Sequence, residues 1–358
     1  MQTSDPHLTN SATLNEILSQ AETWHESLAE LKQSVILEKF LQESQSRTLW
    51  LFVGCGTSFY LAEAAARSWT LLTGQSAWAL PASEVLLFPG LLRAEPGMLQ
   101  AVVISRSGQT SEALLAAESL SREFHIPTLG ITCTADSALE KACGTTLRIS
   151  TAEEKSTVMT RSFTSMLLAV QVLAARNAGQ VSFLLALDRM AHHFASQIHS
   201  LSNRVAAFVH EHTFADYVFL GQGPFHGIAR EASLKVTEMS CSYSQVFHTL
   251  EFRHGPKAIV SPETCLTFFL SESGYPAESE VLAEMKELGG AVIAVCNRAN
   301  DTVRRCSDFL FEFGFDGPEL ATLAPYVVPA QLLGFFTGIK KKINPDHPRN
   351  LTRVVILE

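Results

Sequence analysis

One pattern of residues occurs twice in this chain, and the repeat constrains the fold more than any other feature. The stretch "LWLFVGCGTSFYLAEAAA" returns as "YVFLGQGPFHGIAREASL", and Gly221 minus Gly54 gives a shift of 167. The stretch "VVISRSGQTSE" returns as "FFLSESGYPAES", and Ser271 minus Ser105 gives 166. "IPTLGITC" returns as "GAVIAVCN", where Cys296 minus Cys133 gives 163. Anchors at a nearly constant shift predict two tandem copies of one structural unit.

Each copy alternates short apolar bursts with helical stretches. Bursts bounded by Gly, Ser and Asp, with helices between them, predict a parallel sheet covered on both faces. The fold class is therefore α/β, with two tandem doubly wound units. Apolar residues at helical spacing over residues 8–43 predict one or two leading helices. We expect N-terminal helices over residues 1–45, a first domain over 46–185 and a second domain over 186–358.

Composition limits the classes of partner. The 358 residues are 46% hydrophobic and 18% charged, which is typical of a globular chain. A net charge of −9 argues against a nucleic-acid partner. The N-terminus lacks a secretory pattern, and no apolar run approaches the ~18 residues of a membrane span, so we expect a cytoplasmic protein without a membrane partner. Seven cysteines without close pairing indicate free thiols. We expect no metal or other cofactor.

Two polar loops of the first copy could bind an anion. In "GCGTS", two glycines permit a tight turn, and Thr57 and Ser58 add hydroxyls at a helix entrance; a dinucleotide fingerprint is excluded because Phe59 occupies the third glycine position. In "SRSGQT", Ser105, Ser107 and Thr110 surround a glycine where a strand meets a helix N-terminus, which favours an oxyanion. The alternative is that one hydroxyl merely caps the helix.

A charged helix in the second copy offers acid–base chemistry. Glu231, Lys235 and Glu238 stand at i, i+4 and i+7 on one face, and His254 follows in a Gly-Pro loop. This set supplies a candidate base, an electrostatic partner and a proton shuttle. A solvated ion-pair stripe with a loop histidine explains the same spacing equally well. The closing run "RVVILE" predicts a strand or a buried arm, to which Arg353 brings a cation.

These motifs together resemble the double sugar-isomerase (SIS) domain family. The resemblance rests on "CGTS", "SRSGQTSE", "TRSFTSML", "EASLKVTE", "FRHGP" and "PRNLTRVVILE", in order from about residue 45 to the C-terminus. The isomerase half of glucosamine-6-phosphate synthase is the most similar member that the motifs indicate.

The resemblance implies roles for particular residues. Those around the phosphate of a hexose 6-phosphate would be Ser58, Ser105, Arg106, Ser107 and Thr110, and those along the sugar would be Cys55, Gly56 and Thr57. Glu238 would be the base that moves a proton between C1 and C2. Lys235 would be its neighbouring lysine, and His254 the histidine that assists ring opening. In the family that histidine comes from the partner subunit, so a homodimer with a shared active site is implied.

Some features depart from the synthase. Only about 45 residues precede the first copy, and no nucleophilic cysteine follows Met1, so we expect no ammonia production from glutamine. Arg353 stands where the synthase has a lysine that helps to open the ring, and an arginine is a poor proton shuttle. Thr157 and Met159 replace a small hydroxyl residue and a valine in "STVMTRSFT". We expect altered sugar contacts there.

The departures favour the stand-alone members of the family. The leading hypothesis is an isomerase or deaminase of an amino-hexose 6-phosphate. The second is a deglycase of a fructosamine 6-phosphate, and the third is a non-catalytic sugar-phosphate sensor. The third ranks last because the residues before the first copy are not basic and suggest no DNA-binding module.

Overall fold

The computed structural model describes residues 10–44, 47–92 and 97–357. The predicted start of the leading helices at residue 8 and the predicted boundary at residues 45 and 46 lie outside these ranges. Three helices, not one or two, occupy the leading segment: α1 (Ala12–Leu18), α2 (Gln20–Lys32) and α3 (Val35–Glu43). Ser11 and Ser34 begin α1 and α3, because each hydroxyl accepts a backbone N–H three residues on.

The first sheet is parallel throughout and has the strand order β2-β1-β3-β4-β5. Its strands are β1 (Leu49–Gly54), β2 (Ser76–Pro81), β3 (Leu99–Ile104), β4 (Thr128–Thr132) and β5 (Thr145–Arg148). Its helices are α4 (Thr57–Thr73), α5 (Ala82–Leu87), α6 (Ser111–Glu118), α7 (Leu139–Ala142) and α8 (Arg161–Asn177). The central strands β3 and β4 are buried at every position, as expected for a sheet covered on both faces.

The second sheet repeats this order as β7-β6-β8-β9-β10, again with parallel pairs. Its strands are β6 (Asp216–Gly221), β7 (Tyr243–Phe247), β8 (Thr264–Phe269), β9 (Ala291–Cys296) and β10 (Phe309–Glu312). The helices from residue 181 onward are α9 (Val181–Ala195), α10 (Ile198–Glu211), α11 (Pro224–Ser240), α12 (Tyr275–Glu287), α13 (Asp301–Cys306) and α14 (Leu323–Lys340). The predicted α/β class with two tandem units is confirmed.

The chain divides into two compact units. The first-sheet unit contains the described residues of Glu22–Glu154, Arg161–Asp188 and Thr352–Glu358, and the second-sheet unit those of Met1–Ala21, Lys155–Thr160 and Arg189–Leu351. The C-terminal residues thus pack with the first sheet, although the sequence places them after the second copy. Each unit has its own core.

The segment Glu319–Lys340 is long and apolar enough to cross a membrane by length and composition, with a mean hydropathy of 1.4. The expectation that no run approaches this length is therefore wrong by that criterion. However, 94% of the apolar window is buried inside the protein, as in the core helix of a globular domain. Among its neighbours in the second-sheet unit are α10, α11 and α1.

Candidate active site

The two polar loops of the first-sheet unit follow adjacent strands at a reversal of the strand order. In the order β2-β1-β3-β4-β5, the strands β1 and β3 are neighbours, and the chain proceeds outward from them in opposite directions. Ligands of open α/β sheets bind outside the carboxyl ends of the strands at such a point. Gly54 ends β1 and Ser105 directly follows β3, so both loops begin at this edge.

The first loop has a backbone that requires glycine. Gly56 adopts φ 53° and ψ −124°, outside the regions open to residues with a Cβ. A Cβ on Gly54 would lie 2.4 Å from the carbonyl carbon of Ser58, so the first turn of α4 can fold back onto the strand only at a glycine. Thr57 and Ser58 are buried. Burial raises the pKa of the Cys55 thiol to about 11, so Cys55 stays protonated near neutral pH.

The second loop is a tight turn that carries three hydroxyl side chains. Gly108 has φ 59°, and a Cβ there would lie 2.5 Å from Ser137 Cβ. Ser105 Oγ accepts the Gly108 N–H at 3.2 Å, and Ser107 Oγ accepts the Gln109 N–H at 3.2 Å. Thr110 is the N-cap residue of α6, yet its side chain makes no capping bond. Helix capping therefore does not account for the Thr110 hydroxyl.

Arg106 is buried in a network that the sequence analysis missed. Its guanidinium lies 3.4 Å from a carboxylate oxygen of Glu154, and both side chains are at most 5% exposed. The same carboxylate accepts the N–H and the hydroxyl of Ser162. A buried guanidinium needs such a partner because an unpaired buried charge is costly. Because Arg106 and Glu154 are 48 residues apart, no short sequence pattern indicates that they pair.

The C-terminal tail joins this network through hydrogen bonds between guanidinium groups and backbone carbonyls. Arg106 donates to the carbonyl of Arg353 at 3.2 Å, and Arg353 donates to the carbonyl of Glu154. Val355 accepts the N–H of Ser111 at 3.2 Å, at the start of α6. The prediction of a terminal strand or buried arm is wrong: residues 351–357 form no strand, and the side chains of residues 355–357 are more than half exposed. Hydrogen bonds to the tail backbone and from the Arg353 guanidinium therefore hold the tail here, while the apolar side chains of residues 355–357 stay exposed.

In the second-sheet unit, α11 carries a compact acid–base cluster. The Lys235 ammonium lies 3.4 Å from Glu231 and donates to Glu238 Oε2. Lys235 and Glu231 have no exposed side-chain surface, whereas the Glu238 side chain is 17% exposed. The alternative of a solvated surface stripe is therefore excluded for Lys235 and Glu231. Of the three, Glu238 alone has exposed side-chain surface.

Helix α14 covers the cluster by approaching the backbone of α11. A Cβ on Gly334 would lie 2.8 Å from the carbonyl oxygen of Lys235, and one on Gly338 would lie 2.2 Å from that of Met239. Two glycines four residues apart thus let the helices meet backbone to backbone. Helix α14 therefore packs directly on the backbone of α11 at Lys235, whose side chain has no exposed surface.

His254 is exposed and lies on the loop between β7 and β8. Two 3₁₀ turns, Glu251–Arg253 and Pro256–Ile259, flank it, and Gly255 adopts φ 123°. The structure therefore brings Lys235 and Glu238 together and brings Arg106 and Arg353 together at Glu154, whereas His254 is exposed on its loop.

In the second copy of the polar loop, the loop donors bind a carboxylate that belongs to the protein itself, that of Glu278. Glu278, fully buried, accepts the N–H of Ser271 at 2.8 Å and its hydroxyl at 2.7 Å. Burial raises the pKa of Glu278 to about 7, a rise to which Glu319 adds and which the two Ser271 bonds oppose. The donors of this loop are therefore already used.

Comparisons with known proteins agree with this geometry. The SIS domain family matches residues 45–176 and 216–313, more than half of the chain. The glutamine–fructose-6-phosphate aminotransferase (isomerizing) of Methanosarcina acetivorans is 27% identical over 274 residues, which cover 72% of this chain and 43% of that protein. That of Methanothermobacter thermautotrophicus is 24% identical over 310 residues, covering 86% and 51%. The chain thus spans about half the length of the curated relatives that it matches.

Solved structures resemble nearly the whole chain. Glucosamine-6-phosphate deaminase from Thermotoga maritima has a TM-score of 0.77 and 28% identity, covering 97% of this chain and 100% of that one. Tagatose-6-phosphate ketose/aldose isomerase from Escherichia coli has a TM-score of 0.85 at 22% identity, covering 99% and 98%, and shows the shared fold. The duplicated sheets, the paired polar loops and the two matched segments agree: this chain belongs to the SIS domain family.

Proposed function

We propose that this protein is a phosphosugar isomerase of the aldose–ketose type that acts on an amino-hexose 6-phosphate and releases ammonia. One observation carries the proposal: a fully buried lysine, itself paired with the fully buried Glu231, binds the carboxylate of Glu238, which has exposed surface. A carboxylate fixed in this way is oriented for proton transfer, because one of its oxygens is held by the ammonium. The 28% identity to a glucosamine-6-phosphate deaminase supports the same class of substrate.

The phosphate would bind at the loop from Ser105 to Thr110 and at Ser58. Ser105 and Ser107 each accept a backbone N–H, so their own hydroxyl protons point elsewhere and can be donated to phosphate oxygens. The positive end of the α6 dipole adds to this attraction. Arg106 would contribute positive charge that Glu154 partly balances, and would hold Arg353 of the tail beside the sugar. Cys55, Gly56 and Thr57 would line the sugar.

The reaction begins with the open-chain sugar. Glu238 removes the proton from one of the two carbons C1 and C2 and returns it to the other, through an enediol or, for an amino-hexose, an enolamine. For the amino-hexose this gives an imine at C2. Water then adds to C2 and the C2–N bond breaks, so that ammonia leaves and the ketose phosphate remains. Lys235 stabilises the charge on Glu238 during the transfer. His254 assists ring opening from a surface loop, and a homodimer in which each loop serves the partner's site fits its exposure. No cofactor takes part in these steps. All seven cysteines are free thiols, in keeping with the proposed cytoplasmic location.

The test is a comparison of wild-type protein with Glu238→Gln on three substrates: glucosamine 6-phosphate, galactosamine 6-phosphate and fructoselysine 6-phosphate. Released ammonia or lysine and the ketose phosphate are measured. We expect ammonia from an amino-hexose 6-phosphate, and loss of turnover in Glu238→Gln with phosphate-sugar binding retained. Glu280→Gln is the control, because the Glu280 side chain is 74% exposed and lies outside the cluster.

Three results contradict parts of this proposal. Retained turnover in Glu238→Gln removes Glu238 as the base. Release of lysine alone assigns the protein as a deglycase instead. Binding of hexose 6-phosphates without turnover of any of the three substrates makes it a sensor.

A further inference from the structure

One carboxylate of α12, that of Glu284, binds the loop that carries His254 on both sides of the histidine. Glu284 Oε2 accepts from Arg253 Nε at 2.7 Å, and Glu284 Oε1 accepts from Lys257 Nζ at 2.6 Å. Arg253 directly precedes His254, and Lys257 follows three residues later. The two bonds therefore hold the loop on both sides of the histidine.

The rest of the loop offers His254 little support. Phe252 is fully buried and anchors the loop from below, but His254 and Gly255 are exposed, and Gly255 is conformationally permissive at φ 123°. Without the Glu284 bridge, the histidine would depend on two short 3₁₀ turns.

The geometry of the bridge makes it stronger than an ordinary surface ion pair. Exposed pairs contribute about 0 to 1 kcal/mol, because solvent screens them and two flexible side chains must be ordered. Here one carboxylate orders two cations, each through a short bond, and its own exposure is 29%. The bonds and charges of Lys257 and Arg253 lower the pKa of Glu284, so the carboxylate stays ionised at neutral pH.

We infer that Glu284 is a positioning residue that sets the location of the His254 imidazole for ring opening; this inference rests on the proposed function. In ring opening, the C1–O5 bond breaks with its electron pair going to O5, the C1=O1 bond forms, and the proton of the O1 hydroxyl is transferred to O5. His254 carries that proton. Such a transfer requires the imidazole within hydrogen-bond reach of the ring, and a displacement of about 1 Å is costly.

The experiment separates ring opening from proton transfer at C1 and C2. Turnover of glucosamine 6-phosphate requires ring opening. The second assay is the exchange of the C1 hydrogen of 5-deoxyfructose 6-phosphate with solvent deuterium, in D2O with ammonium present. This exchange does not require ring opening, because the analogue lacks the oxygen that closes the ring. Wild type, Glu284→Gln, Glu284→Asp and the control Glu280→Gln are compared. Glu280 lies one turn earlier on α12, at 4.0 Å from Arg253, and is the more exposed of the two.

We expect Glu284→Gln to lower kcat/KM for glucosamine 6-phosphate by about tenfold, with exchange of the open-chain analogue within about twofold of wild type. Glu284→Asp should recover part of the loss, and Glu280→Gln should match wild type. An equal loss on both substrates, or no loss on either, overturns the inference.

Hydrogen exchange of the backbone provides a readout independent of activity. Peptides covering residues 248–260 should exchange faster in Glu284→Gln than in wild type or Glu280→Gln. Unchanged exchange overturns the inference. If the wild-type protein acts on neither sugar, the proposed function fails, and this measurement alone decides whether Glu284 holds the loop.

Discussion

The carboxyl of Glu278 should make the stability of the second-sheet unit depend on pH, and Glu278→Gln should remove that dependence. The pKa of Glu278 rises from 4.5 to about 7 in the folded protein because the group is buried. At about 1.4 kcal/mol per pKa unit, ionisation of the folded protein costs about 3 kcal/mol. A glutamine has nearly the same shape and can accept the Ser271 N–H while donating to the Ser271 hydroxyl.

The sign of the effect follows from proton binding. Between pH 4.5 and about 7 the folded state binds more protons at Glu278 than the unfolded state does, so stability falls as the pH rises. The contribution is complete below the unfolded pKa and is lost above the folded pKa. We therefore expect wild type and Glu278→Gln to have similar stability at about pH 4.5, and the variant to be more stable by about 3 kcal/mol at about pH 8.

The assay must report on the correct unit. All four tryptophans, Trp24, Trp50, Trp69 and Trp78, lie in the first-sheet unit, so their fluorescence does not follow the second sheet. Hydrogen exchange of the backbone amides in β8 and β9, measured at increasing urea concentrations, gives the unfolding free energy of the second-sheet unit. Glu280→Gln, an exposed position on the same helix, should keep the pH dependence of wild type. Parallel pH profiles for wild type and Glu278→Gln would refute the reasoning.

Three further predictions follow from the geometry. Glu154→Gln leaves a buried guanidinium without its ion partner and should lower the unfolding free energy of the first-sheet unit by about 3 kcal/mol, measured by tryptophan fluorescence. Thr110→Val should raise the KM for a hexose 6-phosphate severalfold while changing stability by less than about 0.5 kcal/mol, since its hydroxyl makes no capping bond; a loss of about 1 kcal/mol would indicate a cap instead. Gly334→Ala should cost about 1 to 3 kcal/mol and lower kcat, because the new methyl group pushes α14 away from Lys235; wild-type kcat in this variant would contradict that packing role.

The repeat could be recognised from the sequence because each motif that recurs is a short continuous stretch of residues. Gly56 and Gly223 adopt nearly the same backbone conformation, φ 53° and ψ −124° against φ 51° and ψ −130°, as their equivalent positions predict. The buried central strands were apparent as apolar bursts. The edge strands β2 and β7 were not identified, because an edge strand is only partly buried and lacks a continuous apolar run.

The sequence by itself determined the duplicated α/β fold, the glycine turns and the face that Glu231, Lys235 and Glu238 share, since these depend on residues within a few turns of each other. Tertiary structure decided whether that face was solvated: α14 buries Lys235 through glycines about 100 residues away in the chain. It also decided that Arg106 pairs with Glu154 and that Glu278 fills the second loop. The physical reason is that spacing fixes which side chains are neighbours on one element, whereas charge pairing and burial depend on which distant element packs against it.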